Sequence, residues 1–127
     1  MTAVAGGEDV RWVTVATREE LSQAEDRRLV CTGRGWQLLL LEQDDRVYAV
    51  ENRCSHATAR LEQGALEGCQ LICPLHGARF DIRDGACKGP PATQPIRSFA
   101  VRVEENAIEV ALPSRPSAPK PKYGVFN

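Results

Sequence analysis

The chain contains only two histidines, and each stands within three residues of a cysteine. His56 closes Cys54-Ser55-His56, and His76 closes Cys73-Pro74-Leu75-His76, with Gly77 directly after. With five cysteines in 127 residues, one given offset from a histidine holds a cysteine by chance in roughly 5 of 127 cases. Both pairs together then arise on the order of a few times in a thousand chains. Two core histidines beside two buried cysteines would be the plain structural account, and the spacing weighs heavily against it.

Paired Cys and His side chains supply thiolate and imidazole donors to a soft or borderline metal. Each motif is short enough for its two side chains to converge from one loop, and the 16 residues between His56 and Cys73 let two loops close over one site. Zinc can take all four donors round a tetrahedral ion, although structural zinc pairs usually run Cys-x-x-Cys and His-x₃₋₅-His. A [2Fe–2S] cluster with two cysteines on one iron and two histidines on the other needs one Cys and one His from each loop. The mixed motifs favour iron–sulfur over zinc.

The rest of the chain is punctuated like a small β protein. Arg11–Ala16 alternates and is rich in β-branched residues, so it reads as a first strand. Thr17 and Glu20 fit a capping box opening one helical turn. Trp36–Glu42 is a near-continuous apolar run that turns through Gln43-Asp44-Asp45 into Arg46–Val50, a hairpin pattern. Gln70–Ile72, Ala78–Ile82, Ser98–Val103 and Ala107–Leu112 follow as strand candidates, with turns at Arg83-Asp84-Gly85 and Glu104-Glu105-Asn106 and a stiff Gly89-Pro90-Pro91. Roughly seven or more short strands with turn signals about every 8–12 residues predict an all-β sandwich or small barrel. Residues 1–9 read as a flexible start, residues 10–112 as the folded domain, and the proline-rich 113–127 as an extended, solvated tail whose apolar end carries Tyr123 and Phe126.

Composition excludes several functions. Sixteen Lys and Arg against 17 Asp and Glu leave a net charge of -1, with none of the basic excess of a nucleic-acid binder. Met1–Val10 has neither a basic n-region nor an apolar h-region, and no run approaches the roughly 18 apolar residues of a membrane span. The expectation is a soluble cytoplasmic protein, in whose reducing surroundings cysteines serve as metal ligands or thiols rather than disulfides.

Cys54-x-His56 and Cys73-x-x-His76-Gly77 resemble the ligand motifs of the Rieske [2Fe–2S] domain, and the resemblance spans roughly residues 10–112. It implies one [2Fe–2S] cluster at a tip made of two loops, with a proline-containing third loop, here Gly89-Pro90-Pro91, alongside. It further implies that Cys54 and Cys73 bind the inner iron, and His56 and His76 the outer iron near solvent. High-potential respiratory members carry a cysteine pair at positions that are Ala59 and Leu75 here, and Ser and Tyr hydroxyls at Ala78 and Phe80. Hydrogen bonds to cluster sulfurs stabilise the reduced state, so their loss implies the low end of the range, near about -150 mV rather than +300 mV.

With both histidines assigned, no His, His, carboxylate iron site remains for an oxygenase. The resemblance therefore points to the ferredoxin component of bacterial ring-hydroxylating dioxygenase systems: a monomeric electron carrier rather than an enzyme. It would take single electrons from a flavin-containing ferredoxin reductase and pass them to a terminal oxygenase through transient contacts. A Rieske-type small subunit of a larger reductase, such as nitrite reductase, and a zinc-binding module stay open as alternatives. Glu42, Asp44, Asp45, Glu62, Glu67, Asp81 and Asp84 are candidates for an acidic docking rim, and Arg53, Arg60 and Arg79 for contact with an acidic partner. Cys31, Cys69 and Cys87 are expected to be structural thiols, and Trp12 and Trp36 core residues.

Overall fold

The computed structural model describes residues 9–55 and 59–114. The elements are β1 (Arg11–Thr17), α1 (Arg18–Gln23), β2 (Arg28–Gly33), β3 (Trp36–Gln43), β4 (Arg46–Glu51), β5 (Ala65–Glu67), β6 (Gln70–Ile72), β7 (Arg79–Asp81), β8 (Cys87–Gly89), β9 (Ser98–Phe99), β10 (Val101–Glu104) and β11 (Ala107–Leu112). They form three antiparallel sheets, ordered β1-β11-β10, β2-β3-β4-β9 and β5-β6-β7-β8. The expected all-β architecture is what the chain adopts.

The apolar run in β3 explains the layering. Leu38, Leu39, Leu40 and Leu41 are all buried, although alternate strand residues point to opposite faces. Leu38 and Leu40 pack with Ala16, Leu21, Ile108, Val110 and Leu112 in one core, while Leu39 and Leu41 pack with Leu61, Leu71, Phe80 and Ile82 in a second. The β2-β3-β4-β9 sheet is thus covered on both sides, by the β1-β11-β10 sheet on one face and the β5-β6-β7-β8 sheet on the other. Each leucine so buried contributes about 2 kcal/mol in transfer free energy.

Local chemistry sets the connections. Both residues of each two-residue turn have positive φ: Arg34 and Gly35 before β3, and Asp44 and Asp45 after it. That is the geometry whose twist suits a tight hairpin. The capping box forms as expected, with Glu20 N donating to Thr17 Oγ1 at 3.0 Å and Thr17 N to Glu20 Oε1 at 2.8 Å, and Leu21 then enters the core.

Two expectations are corrected. Ser98–Val103 is not one strand: Phe99 pairs with Ala49 in the central sheet, whereas Val101 pairs with Val110 in the β1-β11-β10 sheet. The chain changes sheets at Ala100, which a continuous alternation cannot signal. Trp12 is not core but 43% exposed, because it lies on the outward face of an edge strand, with the Arg102 guanidinium 4.3 Å from its ring centroid. Trp36 is buried, and its Nε1 donates to Pro113 O at 2.9 Å. Arg34 donates to Leu112 O at 2.7 Å and to Ser114 Oγ at 3.0 Å. Residues 1–8 and the tail beyond 114, with Tyr123 and Phe126, lie outside the described residues.

Candidate metal centre

The two cysteine–histidine motifs sit in loops of different construction. The first joins β4 to β5 across residues 52–64, and the second joins β6 to β7 across residues 73–78. In the first, Cys54 N donates to Ala59 O at 2.9 Å. Below it, buried Asn52 accepts from Leu61 N at 2.9 Å and donates through Nδ2 to Glu62 Oε1 at 2.7 Å. Arg28, from β2, donates to the carbonyls of Glu62, at 3.0 Å, and of Gly64. A Cβ on Gly64 would lie 2.1 Å from Ile72 O, so only glycine lets the loop close against β6.

The second loop is bound by its own backbone. Cys73 N donates to Ala78 O at 2.7 Å and Gly77 N to Cys73 O at 3.0 Å, with Gly77 at φ 81°. That left-handed position explains the glycine after His76. Leu75 projects, 55% exposed, and His76 is exposed beside it.

The structure brings Cys54 and Cys73 together. Both are 1% exposed, and both belong to the same apolar cluster as Leu61, Leu71, Ala78 and Phe80. None of the five cysteines, all of which are described, is in a disulfide. His56 lies outside the described residues. Among the described residues, no three His, Cys, Asp or Glu side chains gather round one point. A two-iron cluster needs no such point, since its ligands divide into two pairs. Two buried thiols with an imidazole on the solvent side match the polarity such a cluster requires: anionic donors inside and neutral donors outside. The residues that are described fit that group.

A third loop, residues 90–97 between β8 and β9, completes the surroundings. It begins with a cis Pro90–Pro91 bond and sends Ala92 and Ile96 into the cluster that holds Cys54 and Cys73. A Cβ on Gly85 would lie 2.1 Å from Ile96 O, which fixes glycine in the turn below. In that turn both carboxylate oxygens of buried Asp81 accept from Arg83, at 2.6 and 2.9 Å. Those hydrogen bonds outweigh the opposing effect of burial and hold the Asp81 carboxyl down to about 2.

Residues 11–100 match the family model of the Rieske [2Fe–2S] domain. The chain belongs to the Rieske family. A Rieske domain carries one [2Fe–2S] cluster. The ferredoxin component of the naphthalene 1,2-dioxygenase system of Pseudomonas putida is 33% identical over 103 residues, covering 81% of this chain and 97% of the relative. The solved ferredoxin of carbazole 1,9a-dioxygenase from Nocardioides aromaticivorans IC177 superposes with a TM-score of 0.72 at 35% identity, covering 79% of this chain and 96% of that one. A complex of reduced oxygenase and oxidized ferredoxin in carbazole 1,9a-dioxygenase contains a chain matching with a TM-score of 0.68 at 30% identity, over 85% of this chain and 97% of that one. These relatives are ferredoxin components, the electron-transfer subunits of dioxygenase systems.

Other candidates from the sequence resolve differently in this Rieske domain. Glu42 and Asp81 are not rim groups, because their side chains are only 8% and 6% exposed and are paired with Arg18 and Arg83. Glu67 pairs with Arg79 at 3.0 Å, and Glu62 with Arg60 at 2.7 Å. Cys69 and Cys87 pack against the cysteine-containing core, and Cys31 against the other. Burial, reinforced by Glu20, pushes the Cys31 thiol up to about 11, so it stays protonated at neutral pH. Asn52 and Arg28 were not singled out by sequence. A polar residue directly after the apolar β4 pattern is the one available signal for Asn52.

Among the described residues, no helix is long and apolar enough to cross a membrane.

Proposed function

We propose that Cys54 and Cys73 ligate the inner iron, and His56 and His76 the outer iron, of one Rieske-type cluster. The protein is a ferredoxin that accepts one electron from a flavin-containing reductase and delivers it to a terminal ring-hydroxylating oxygenase. Residues 10–112 form the cluster-binding unit, which works as a monomer in the cytoplasm. The observation that carries this reading is the burial of Cys54 and Cys73 in one apolar cluster while His76 faces solvent. The names of the relatives support it, as does the likeness to a ferredoxin found in complex with its oxygenase.

When bound, the cluster supplies reversible one-electron redox chemistry. The chain's residues determine its setting. The apolar packing of Leu61, Leu71 and Phe80 excludes water from the thiolate side. His76 brings an imidazole edge to the surface, which shortens the path to a docked partner. With two thiolates and two neutral imidazoles as donors, an oxidised cluster would carry no net charge, and a gained electron would add one negative charge. Ala78 and Phe80 are fully buried beside Cys73 and bring no hydroxyl to stabilise that charge. The potential is therefore expected near about -150 mV.

Redox titration of protein produced with iron, followed by visible absorption and electron paramagnetic resonance, tests this reading. A Rieske spectrum that bleaches near the low limit is expected. A potential several hundred millivolts higher would overturn the inference from Ala78 and Phe80. A colourless protein after anaerobic, iron-replete preparation would overturn the cluster.

A further inference from the structure

The third loop, residues 90–97, lacks a strand partner yet lines the cysteine-containing core. Four hydrogen bonds among the described residues help to fasten it. At its ends Cys87 Sγ donates to Ala92 O at 3.0 Å, Ile96 N to Gly85 O at 2.9 Å and Glu51 N to Arg97 O at 2.9 Å. The fourth reaches its middle, where Ser55 Oγ donates to Gln94 O at 2.5 Å. Of these four, only the Ser55 bond comes from a residue inside a cysteine–histidine motif. Ser55 lies between Cys54 and His56, so its backbone is held where the motif is held and its side chain is turned toward the neighbouring loop.

We propose that Ser55 is a positioning residue that ties the third loop to the first cluster loop and so keeps water from the buried side of the metal centre. This rests on the cluster reading above. Ser55 is itself exposed, so its hydroxyl has water as a competitor, yet it is directed at the Gln94 carbonyl. Ala92 and Ile96 flank Gln94 and are 4% and 6% exposed, so loosening the middle of this loop uncovers two side chains that cover the thiol core. Better solvation favours the more negatively charged reduced state. Releasing the loop therefore raises the reduction potential and opens a path for a chelator.

Ser55→Ala and Ser55→Thr, compared in the iron-loaded protein, separate the hydroxyl from the mere shape of the residue. Ser55→Ala is expected to raise the midpoint potential and to speed bleaching by a chelator and amide exchange at Ile96 by about fivefold, the scale of one neutral hydrogen bond. Ser55→Thr keeps the hydroxyl and is expected to restore all three. An alanine variant equal to wild type in potential and Ile96 exchange would overturn the proposal, as would a threonine variant as perturbed as alanine. Amide exchange at Ile96 reads the tether whether or not iron is bound. A wild-type protein without a Rieske spectrum would thus defeat the cluster reading, while an exchange rate unmoved by Ser55→Ala would defeat the tether.

Discussion

The two cysteine–histidine loops present the same kind of motif by different means. The loop of residues 73–78 is a hairpin turn closed by two backbone hydrogen bonds and one left-handed glycine. The loop of residues 52–64 is twice as long, and beyond the backbone bonds from Cys54 N to Ala59 O and from Gly64 N to Leu61 O it is fastened by side chains: Asn52 from beneath, Arg28 from a strand in the central sheet, and Ser55 toward the third loop. A short loop costs little entropy to close, so its own amides suffice. A longer loop has more conformations to lose, and directional side-chain bonds from structure already ordered restrict them. Substitutions should therefore harm the first loop through its supports and the second through its backbone.

The largest effect is expected from Asn52→Leu. It leaves Leu61 N–H without its acceptor in a buried site and removes one of the two partners of Glu62, which keeps Arg60, at a cost of about 2–3 kcal/mol. Denaturant unfolding should show that loss, and the iron content of the purified protein should fall with it. Asn52→Asp keeps the acceptor for Leu61 but replaces the donor to Glu62 by a like charge, so an intermediate loss is expected. If Asn52→Leu unfolds at the wild-type midpoint, the long loop is not held from beneath and the contrast fails. Gly77→Ala probes the second loop in the same assay. Among the described residues no atom lies within 4 Å of the added Cβ, so the expected cost is conformational, about 1–2 kcal/mol for a residue forced to φ near 81°.

The same contrast explains what could be read from the sequence. The second loop is local, and Cys73, His76 and Gly77 place its motif and its turn within five residues. The β3–β4 hairpin was legible for the same reason, since apolar content and turn residues are adjacent. Asn52 and Arg28 were not legible because their roles exist only once distant segments meet: Arg28 acts 34 and 36 residues away from itself. The break of Ser98–Val103 into β9 and β10 is equally non-local, since the pattern of side chains continues while the pairing partner changes. Trp12 misled because an edge strand leaves one face to solvent, and strand alternation does not say which face.

Acid sharpens the comparison through the third loop's base. The folded Asp81 carboxyl titrates near 2 against an ordinary 3.8, so it stabilises the fold fully above about pH 4. That contribution disappears as pH falls from about 4 to about 2, where the folded state must also take up the proton. Asp81→Asn should lower stability at neutral pH by about 1–2 kcal/mol, the scale of hydrogen bonds to a charged group, and should flatten this stretch of the pH profile. A wild-type profile already flat between pH 4 and 2 would show that the Arg83 pairing contributes nothing.

The smallest effect on stability is expected at Leu75, and it tests the comparison from the opposite side. Leu75 stands at the tip of the second loop, 55% exposed, and belongs to neither apolar core. Truncation to alanine removes little buried surface, and the two backbone bonds that close the loop remain, so unfolding should stay within about 0.5 kcal/mol of wild type. A loss approaching that of Asn52→Leu would mean that the short loop also relies on side-chain packing, and the two loops would no longer differ in kind. A stable Leu75→Ala protein would instead leave an apolar side chain exposed beside His76 with no structural reason to be there. Its rate of electron delivery to an oxygenase then becomes the informative measurement, because any slowing at unchanged stability and potential would arise at the contact with the partner.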